Sequence, residues 1–224
     1  MIDVNDEAAL RKELVAQYRR VGELKLNEMS SGNISCRFGD GMLISPTGAE
    51  AETITEDMVV YLSKDGEWKG DYPPSSEWAM HAAVYRDYPR ARAVVHTHSD
   101  HVVAVSCLHK PLPGFHYLVG VFGGGDVPCV PYHTFGTMDL GEAAAAALKD
   151  RTACLLGSHG MLCRAGSLNS AVNLAHRLEI MCRQYIIARQ LGEPYHMTDA
   201  EWVDFFARAK KGGYVPAPPA TADA

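Results

Sequence analysis

Two short strand-like runs joined by a tight turn constrain this chain more than any other feature. In SSGNISCRFGDGMLIS, residues 30–45, both runs flank Asp40-Gly41, a pair that favours a tight hairpin. A hairpin commits its strands to antiparallel pairing. More hairpin punctuation follows, at Pro46-Thr47-Gly48 and at Asp65-Gly66 after a strand over Met58 to Leu62. Ala153 to Leu156 and Met161 to Cys163 read as two further strands flanking GSHG, and ARAVVHTH as another.

Helical periods fill the spaces between. From Asp6 to Lys25 the apolar residues Leu10, Leu14, Tyr18, Val21 and Leu24 recur every three or four positions, one face of a helix. After Pro73-Pro74, Ser75 or Ser76 can cap a helix through Trp78, His81 and Tyr85, whose first turn would hold Glu77. DHVVAVSCL, the Ala-rich run Leu140 to Leu148, and Ser167 to Leu191 closed by Gly192 are also helical. Thr198 and Glu201 form a capping box opening a last helix. Residues 111–136, rich in Gly, Pro and aromatics, read as a shaped loop with a short strand at Val127–Val130. The expected architecture is one α/β domain over 1–214, a mostly antiparallel sheet of mixed order covered by helices. Residues 215–224 form a Pro/Ala tail expected to be disordered.

Composition narrows the function classes. With 21 Lys+Arg against 27 Asp+Glu, the net charge is −6, which argues against a partner held through nucleic-acid phosphates or anionic lipid. No apolar stretch approaches the ~18 residues of a membrane span. The acidic N-terminus lacks the order of a signal peptide, so a soluble, cytoplasmic protein is expected. The six cysteines contain no C-x-x-C pair and are expected to be reduced thiols.

The chemistry concentrates in a few places. His96-Thr-His98 puts two imidazoles on one face of a strand, the start of a site for zinc, cobalt or manganese or simply two structural histidines. His159, between glycines in Gly157-Ser158-His159-Gly160, is an ordinary turn residue unless it meets the first two; three ligands with a fourth position open would mark a catalytic zinc. Glu77 is a helix-end carboxylate or a proton carrier near the metal. Ser31-Gly32-Asn33, Ser45-Pro46-Thr47-Gly48 and Ser75-Ser76 are turns whose hydroxyls and free N–H groups could cradle a phosphate. No Walker loop and no G-x-S-x-G elbow is present.

Taken in order, SSGNIS, LISPTG, PPSSEW, AVVHTHS, HYLVGVFGGGDVPCVPYHTFGT and LLGSHG make the chain resemble the class II aldolase/adducin family over about residues 6–214. The resemblance implies zinc on His96, His98 and His159, with Glu77 as the acid/base. It implies a phosphate site from Gly32, Asn33, Thr47, Gly48, Ser75 and Ser76. It implies Tyr117 reaching from a neighbouring subunit of a cyclic homotetramer, and an aldehyde pocket bounded by Phe135 and Tyr214. The implied reaction cleaves a ketose 1-phosphate into dihydroxyacetone phosphate and a short aldehyde, leaving an enediolate whose charge the metal stabilises. L-fuculose 1-phosphate and the 5-deoxypentulose or 5-methylthioribulose 1-phosphates all fit that description. Pentulose-phosphate 4-epimerases of the same family show Asp where this chain has Glu77, and sugar-phosphate dehydratases are a weaker rival. A non-catalytic, adducin-like head would lack the metal histidines, and His96, His98 and His159 are all present. His101 and His133 lie near the motifs and could shape the pocket.

Overall fold

The computed structural model describes residues 6–212, so Tyr214 and the Pro/Ala tail lie outside the described residues. Its first element is helix α1, Glu7–Glu23, capped by the Asp6 carboxylate, which accepts from the Ala9 amide at 3.0 Å. Leu10, Leu14, Tyr18 and Val21 are buried along one face, as their spacing predicts. Strands β1, Asn33–Phe38, and β2, Gly41–Ile44, follow as an antiparallel hairpin in which Phe38 pairs with Gly41.

That pairing moves the turn by one residue from Asp40-Gly41 to Gly39-Asp40. Gly39 takes a positive φ of 56° at the first central position, where two-residue hairpins of this kind demand glycine. Gly41 is instead the first residue of β2, and its lack of a side chain has another cause. A Cβ there would lie 2.1 Å from the Leu62 carbonyl oxygen of β3, Val60–Leu62.

Helix α2, Trp78–Asp87, leads into β4, Ala93–Thr97, and then α3, Asp100–Ser106. A two-residue strand β5, Cys129–Val130, precedes α4, Met138–Ala147. Strands β6, Ala153–Leu156, and β7, Gly160–Ala165, form the hairpin carrying GSHG, followed by α5, Leu168–Leu191, and α6, Asp199–Gly212. One seven-stranded sheet results, in the order β3-β2-β1-β4-β7-β6-β5. Every neighbouring pair is antiparallel except β5 with β6, as the hairpin signals imply.

Alternation along the strands divides the core in two. Ile34, Cys36, Val95, Met161 and Cys163 face α1, α3 and α5, whereas Ile44, Val94, Cys154 and Leu162 face α2 and α4. The segment expected to be a shaped loop contains an unforeseen 3₁₀ helix, Tyr117–Phe122. Its glycines make room for α6: a Cβ on Gly120 would sit 2.2 Å from the Phe205 ring, and one on Gly114 2.7 Å from Trp202. The six cysteines form no disulfide, and no described helix is long and apolar enough to cross a membrane.

Gly41→Ala must push β2 and β3 apart, at a cost of about 1–3 kcal/mol. The melting temperature should fall by several degrees, at ~2–4 °C per kcal/mol for a chain of this size. Gly166→Ala, with nothing within 4 Å of its added Cβ, serves as the control and should melt like the parent. Equal melting of the two variants would refute the close approach at Gly41.

Candidate metal centre and active-site cleft

The site gathers at one end of the sheet, on the face covered by α2. In β4, Val94 and His96 share that face, while Ala93 and Val95 point the other way. His98 lies just past the strand, anchored by its amide, which donates to Asn27 Oδ1 at 3.1 Å. His159 enters from the β6–β7 turn, which closes between Leu156 and Gly160. Gly160 must be glycine because a Cβ there would come within 2.4 Å of the Thr97 carbonyl oxygen and 3.2 Å of the His98 ring. Glu77 sits at the N-cap position of α2, one residue before its first turn, and is buried. Its amide, not that of a later residue, is bonded by Ser75 Oγ at 3.3 Å, so neither serine is the cap that the sequence predicts.

These four side chains converge. One ligand atom from each of Glu77, His96, His98 and His159 lies within 4.8 Å of all the others. The imidazole centroids are 4.6–4.9 Å apart and mutually edge-on, and Nε2 of His96 is 2.6 Å from Nε2 of His98. His96 Nδ1 lies 2.8 Å from the Met161 carbonyl oxygen, which can only accept. Nδ1 therefore carries a proton, and Nε2 is the ring atom turned to the cluster. Glu77 Oε2 lies 3.0 Å from His96 Nε2, and Oε1 is buried without a hydrogen-bond partner, 3.3 Å from His159 Nε2. Burial alone would raise the Glu77 pKa, but the adjacent His96 and His159 hold it below the usual carboxylate range. Burial, reinforced by His96 and His159, pushes His98 down to about 3, so it is neutral. Converging lone pairs and an orphaned carboxylate oxygen fit a small divalent cation of borderline softness.

A cleft of about 500 Å³ opens over this cluster. Gly32, Asn33, Thr47, Gly48, Ser75 and Ser76 all line it, and among the described residues neither Lys nor Arg contributes to its wall. Phe135 lines it and is largely exposed, and His133 stands beside it. Tyr117 is not in the cleft of its own chain; it is half-exposed on the 3₁₀ helix, its ring stacked on His116 at 4.8 Å. His101 also lies elsewhere, its Nδ1 and backbone amide bonded to Glu179 of α5.

Several residues around the site, some of them inside the quoted motifs, were given no role or a different one by sequence reading. Tyr132, Ser30 and Ser158 line the cleft, and Ser158 holds a left-handed φ of 54° while sharing a 2.7 Å hydrogen bond with His109. Behind Glu77, Asn33 Nδ2 donates to Oε2 at 3.1 Å, and Asn33 Oδ1 lies 2.5 Å from His81 Nε2. Ser35 Oγ bridges His81 Nδ1 at 2.7 Å and Tyr85 Oη at 2.8 Å. The only available signal for these residues was spacing: Glu77, His81 and Tyr85 recur every four positions, and Asn33 and Ser35 every two.

A sequence profile of the Class II Aldolase and Adducin N-terminal domain matches residues 12–186, and the chain belongs to that family. The 5-methylthioribulose-1-phosphate/5-deoxyribulose-1-phosphate aldolase of Rhodospirillum rubrum is 39% identical over 215 residues, 95% of this chain and 97% of the relative. The L-fuculose phosphate aldolase of Escherichia coli (strain K12) is 40% identical over 185 residues, 83% of this chain and 86% of the relative. A solved L-fuculose 1-phosphate aldolase matches the fold with a TM-score of 0.87 at 31% identity, over 93% of this chain and 100% of that one. With such relatives over nearly its whole length, the chain is an enzyme of the class II aldolase type, a lyase.

Two outcomes follow from this geometry. Dialysed against zinc, the protein should hold about one equivalent per chain, and His96→Ala or His159→Ala less than about a tenth of that at the same free zinc. Undiminished zinc in either variant would rule out the cluster as the metal centre.

The second outcome concerns His81, which is completely buried and whose pKa burial pushes down to about 3 from 6.5. The unfolded chain protonates this ring below about pH 6.5 and the folded one does not. Stability therefore falls as pH drops through that value toward 3, by about 2 kcal/mol between roughly pH 6 and pH 4. Urea denaturation of the metal-free protein should show this slope, and His81→Gln a shallower one. Parallel slopes would show that His81 is not buried in its neutral form.

Proposed function

We propose that the protein is a zinc-dependent aldolase that reversibly cleaves a ketose 1-phosphate into dihydroxyacetone phosphate and a short aldehyde. The observation that carries this reading is the joining, in one cleft, of a Glu/His₃ cluster to a wall of serine, threonine and glycine turns. His96, His98 and His159 would hold the cation, with Glu77 beside it. When bound, a divalent cation supplies Lewis-acid stabilisation of the negative charge that cleavage leaves on the ketose fragment.

The protein's own groups do the rest. Thr47, Ser75 and Ser76 offer hydroxyls, and Gly32 and Gly48 backbone at positive φ, as uncharged donors around the phosphate. Asn33, with one amide proton spent on Glu77, keeps its second for the cleft. Cleavage breaks the C3–C4 bond, moves its electron pair toward the C2 carbonyl, and frees the proton of the C4 hydroxyl as the aldehyde forms. Glu77, ionised and beside the cluster, would take up a proton from water and deliver it to C3, completing dihydroxyacetone phosphate and returning to its ionised form. Tyr117, absent from the lining of its own cleft and half-exposed, suits donation to a neighbouring subunit of a homotetramer, where its hydroxyl would relay the C4 hydroxyl proton, accepting it as it passes its own to water. No lysine lines the cleft, so no described residue is placed to form a Schiff base with the ketose carbonyl.

At the aldehyde end, Phe135 and Tyr132 present exposed aromatic surface suited to a methyl or thioether terminus. Lactaldehyde, acetaldehyde and (methylthio)acetaldehyde all meet that requirement. The matching ketose 1-phosphates are those of L-fuculose, 5-deoxyribulose and 5-methylthioribulose. A coupled assay of dihydroxyacetone phosphate release from these three should show chelator-sensitive cleavage, with kcat/KM ranking the substrates. Tyr117→Phe should lower kcat by ~10²-fold or more, the scale of lost general acid–base catalysis, while leaving zinc content and phosphate affinity intact. No release from any of the three by zinc-replete protein would overturn the aldolase reading.

A further inference from the structure

Behind Glu77 lies a polar chain that the reaction as described does not use. Glu77, His81 and Tyr85 form one stripe along the start of α2, and Asn33 and Ser35 form the matching row on β1. Four helical residues advance about 6 Å, and two strand residues about 6.8 Å. The two rows therefore stay in step, and each helix side chain meets a strand side chain. His81, Ser35, Asn33, Glu77 and Tyr85 are all buried, beside an otherwise apolar set that includes Met80, Val84 and Val94.

The hydrogen bonds along this chain have only one consistent direction. An ionised Glu77 only accepts, so the Asn33 amide must turn Nδ2 toward it; the flipped amide would set a carbonyl oxygen against a carboxylate oxygen at 3.1 Å. Asn33 Oδ1 then accepts, so His81 must carry its proton on Nε2, 2.5 Å away. A neutral His81 consequently accepts on Nδ1 from the Ser35 hydroxyl, and Ser35 in turn accepts from Tyr85 Oη at 2.8 Å. Each link leaves the next a single choice.

We propose that His81 is a positioning residue that, through Asn33, fixes the orientation of the Glu77 carboxylate at the metal cluster. Asn33 is the hinge of the device. Without a donor at His81 Nε2, its Oδ1 is an unpaired buried acceptor, and the amide loses its reason to present Nδ2 to Glu77. The carboxylate then has a second resting position, and fewer molecules hold it where a proton can reach the ketose fragment. This rests on the reading of Glu77 as the proton carrier, but the hydrogen-bond chain itself does not.

The experiment has two parts. Long-range ¹H–¹⁵N spectra of ¹⁵N-histidine-labelled protein should show His81 neutral, protonated at Nε2 and bare at Nδ1; the opposite tautomer overturns the proposal whatever reaction the enzyme performs. Next, His81→Gln, which keeps a donor toward Asn33, is compared with His81→Phe, which does not. Cleavage and solvent-deuterium exchange into dihydroxyacetone phosphate are followed alongside zinc content. The Phe variant should lose ~10–100-fold in kcat and in exchange, the usual scale for an outer partner of a metal site, with KM and zinc content close to the parent. The Gln variant should recover most of that loss. Equal kcat in the parent and the Phe variant, or equal losses in Phe and Gln, overturns the positioning role. If His81→Phe does not fold, His81→Leu, which likewise offers no donor to Asn33, replaces it: the same loss of kcat and exchange is expected, and parent-like values, or a loss equal to that of His81→Gln, overturn the positioning role. If the parent itself neither cleaves nor exchanges, the aldolase reading fails; the tautomer, and a shift of Glu77 between parent and Phe-variant crystal structures, then decide the positioning role alone.

Discussion

Strand β1 meets β4 with Asn33 opposite His96 and Ser35 opposite Val94, and the whole site depends on that register. Side chains alternate along a strand, so a slip of one residue would turn Asn33 and Ser35 toward α1 and α5. It would also bring Ile34 and Cys36 under α2, against Glu77 and His81. What prevents the slip is burial on both faces. Ile34 belongs to the core beneath α1 and α5, and Val94 to the core beneath α2 and α4, each worth about 1.5–3 kcal/mol when fully removed from water. The apolar residues thereby set the geometry of the polar ones.

The polar chain under α2 is costly unless complete. A buried hydroxyl, amide or imidazole without a partner costs about 1–3 kcal/mol. Here Asn33, Ser35 and His81 each find partners on the opposing element. One exception is informative. Glu77 Oε1 is buried with no hydrogen bond, 3.3 Å from Nε2 of His159. This orphaned acceptor and the nitrogens of three imidazoles meet in the same few ångströms of space, which is what a cation site requires and what an ordinary polar core avoids.

How much of this was legible in the sequence depends on whether a residue announces itself. His96-x-His98 was readable because strand periodicity puts both rings on one face, and the structure brings them together with His159. The long helices were readable from their periods and caps: Gly192 closes α5 and the Thr198–Glu201 box bonds, both as the sequence predicts. The β1–β2 hairpin was readable, but not its phase, because Gly39 and Gly41 compete for the turn and only the contact with Leu62 shows which is needed elsewhere. The 3₁₀ helix at Tyr117–Phe122 was illegible because its glycines answer to Trp202 and Phe205, some eighty residues later. His81 was illegible for a related reason: a histidine within a helix has no local signature, and its partners lie on β1, more than forty residues upstream.

The cleft's charge balance ties these features together. A sugar phosphate brings close to two negative charges, and the wall proposed to receive it offers hydroxyls and amides but, among the described residues, no Lys or Arg. The carboxylate among the described lining residues is Glu77, itself negative. Dipoles alone hold phosphates at many helix ends and glycine turns, so the lack of a basic side chain is no bar to binding. It does leave the positive charge at one end of the cleft, among His96, His98 and His159, when the site is loaded. The cation attracts the dianionic phosphate more strongly than the neutral carbonyl, so on the proposed reading it is the hydrogen bonds of the uncharged wall that must hold the phosphate away from that pole and leave the carbonyl to face it. On the proposed reading, uncharged recognition at one pole and concentrated charge at the other define a direction, and Glu77, bonded by Asn33 beside the imidazoles, would stand where the new carbon–hydrogen bond is to form.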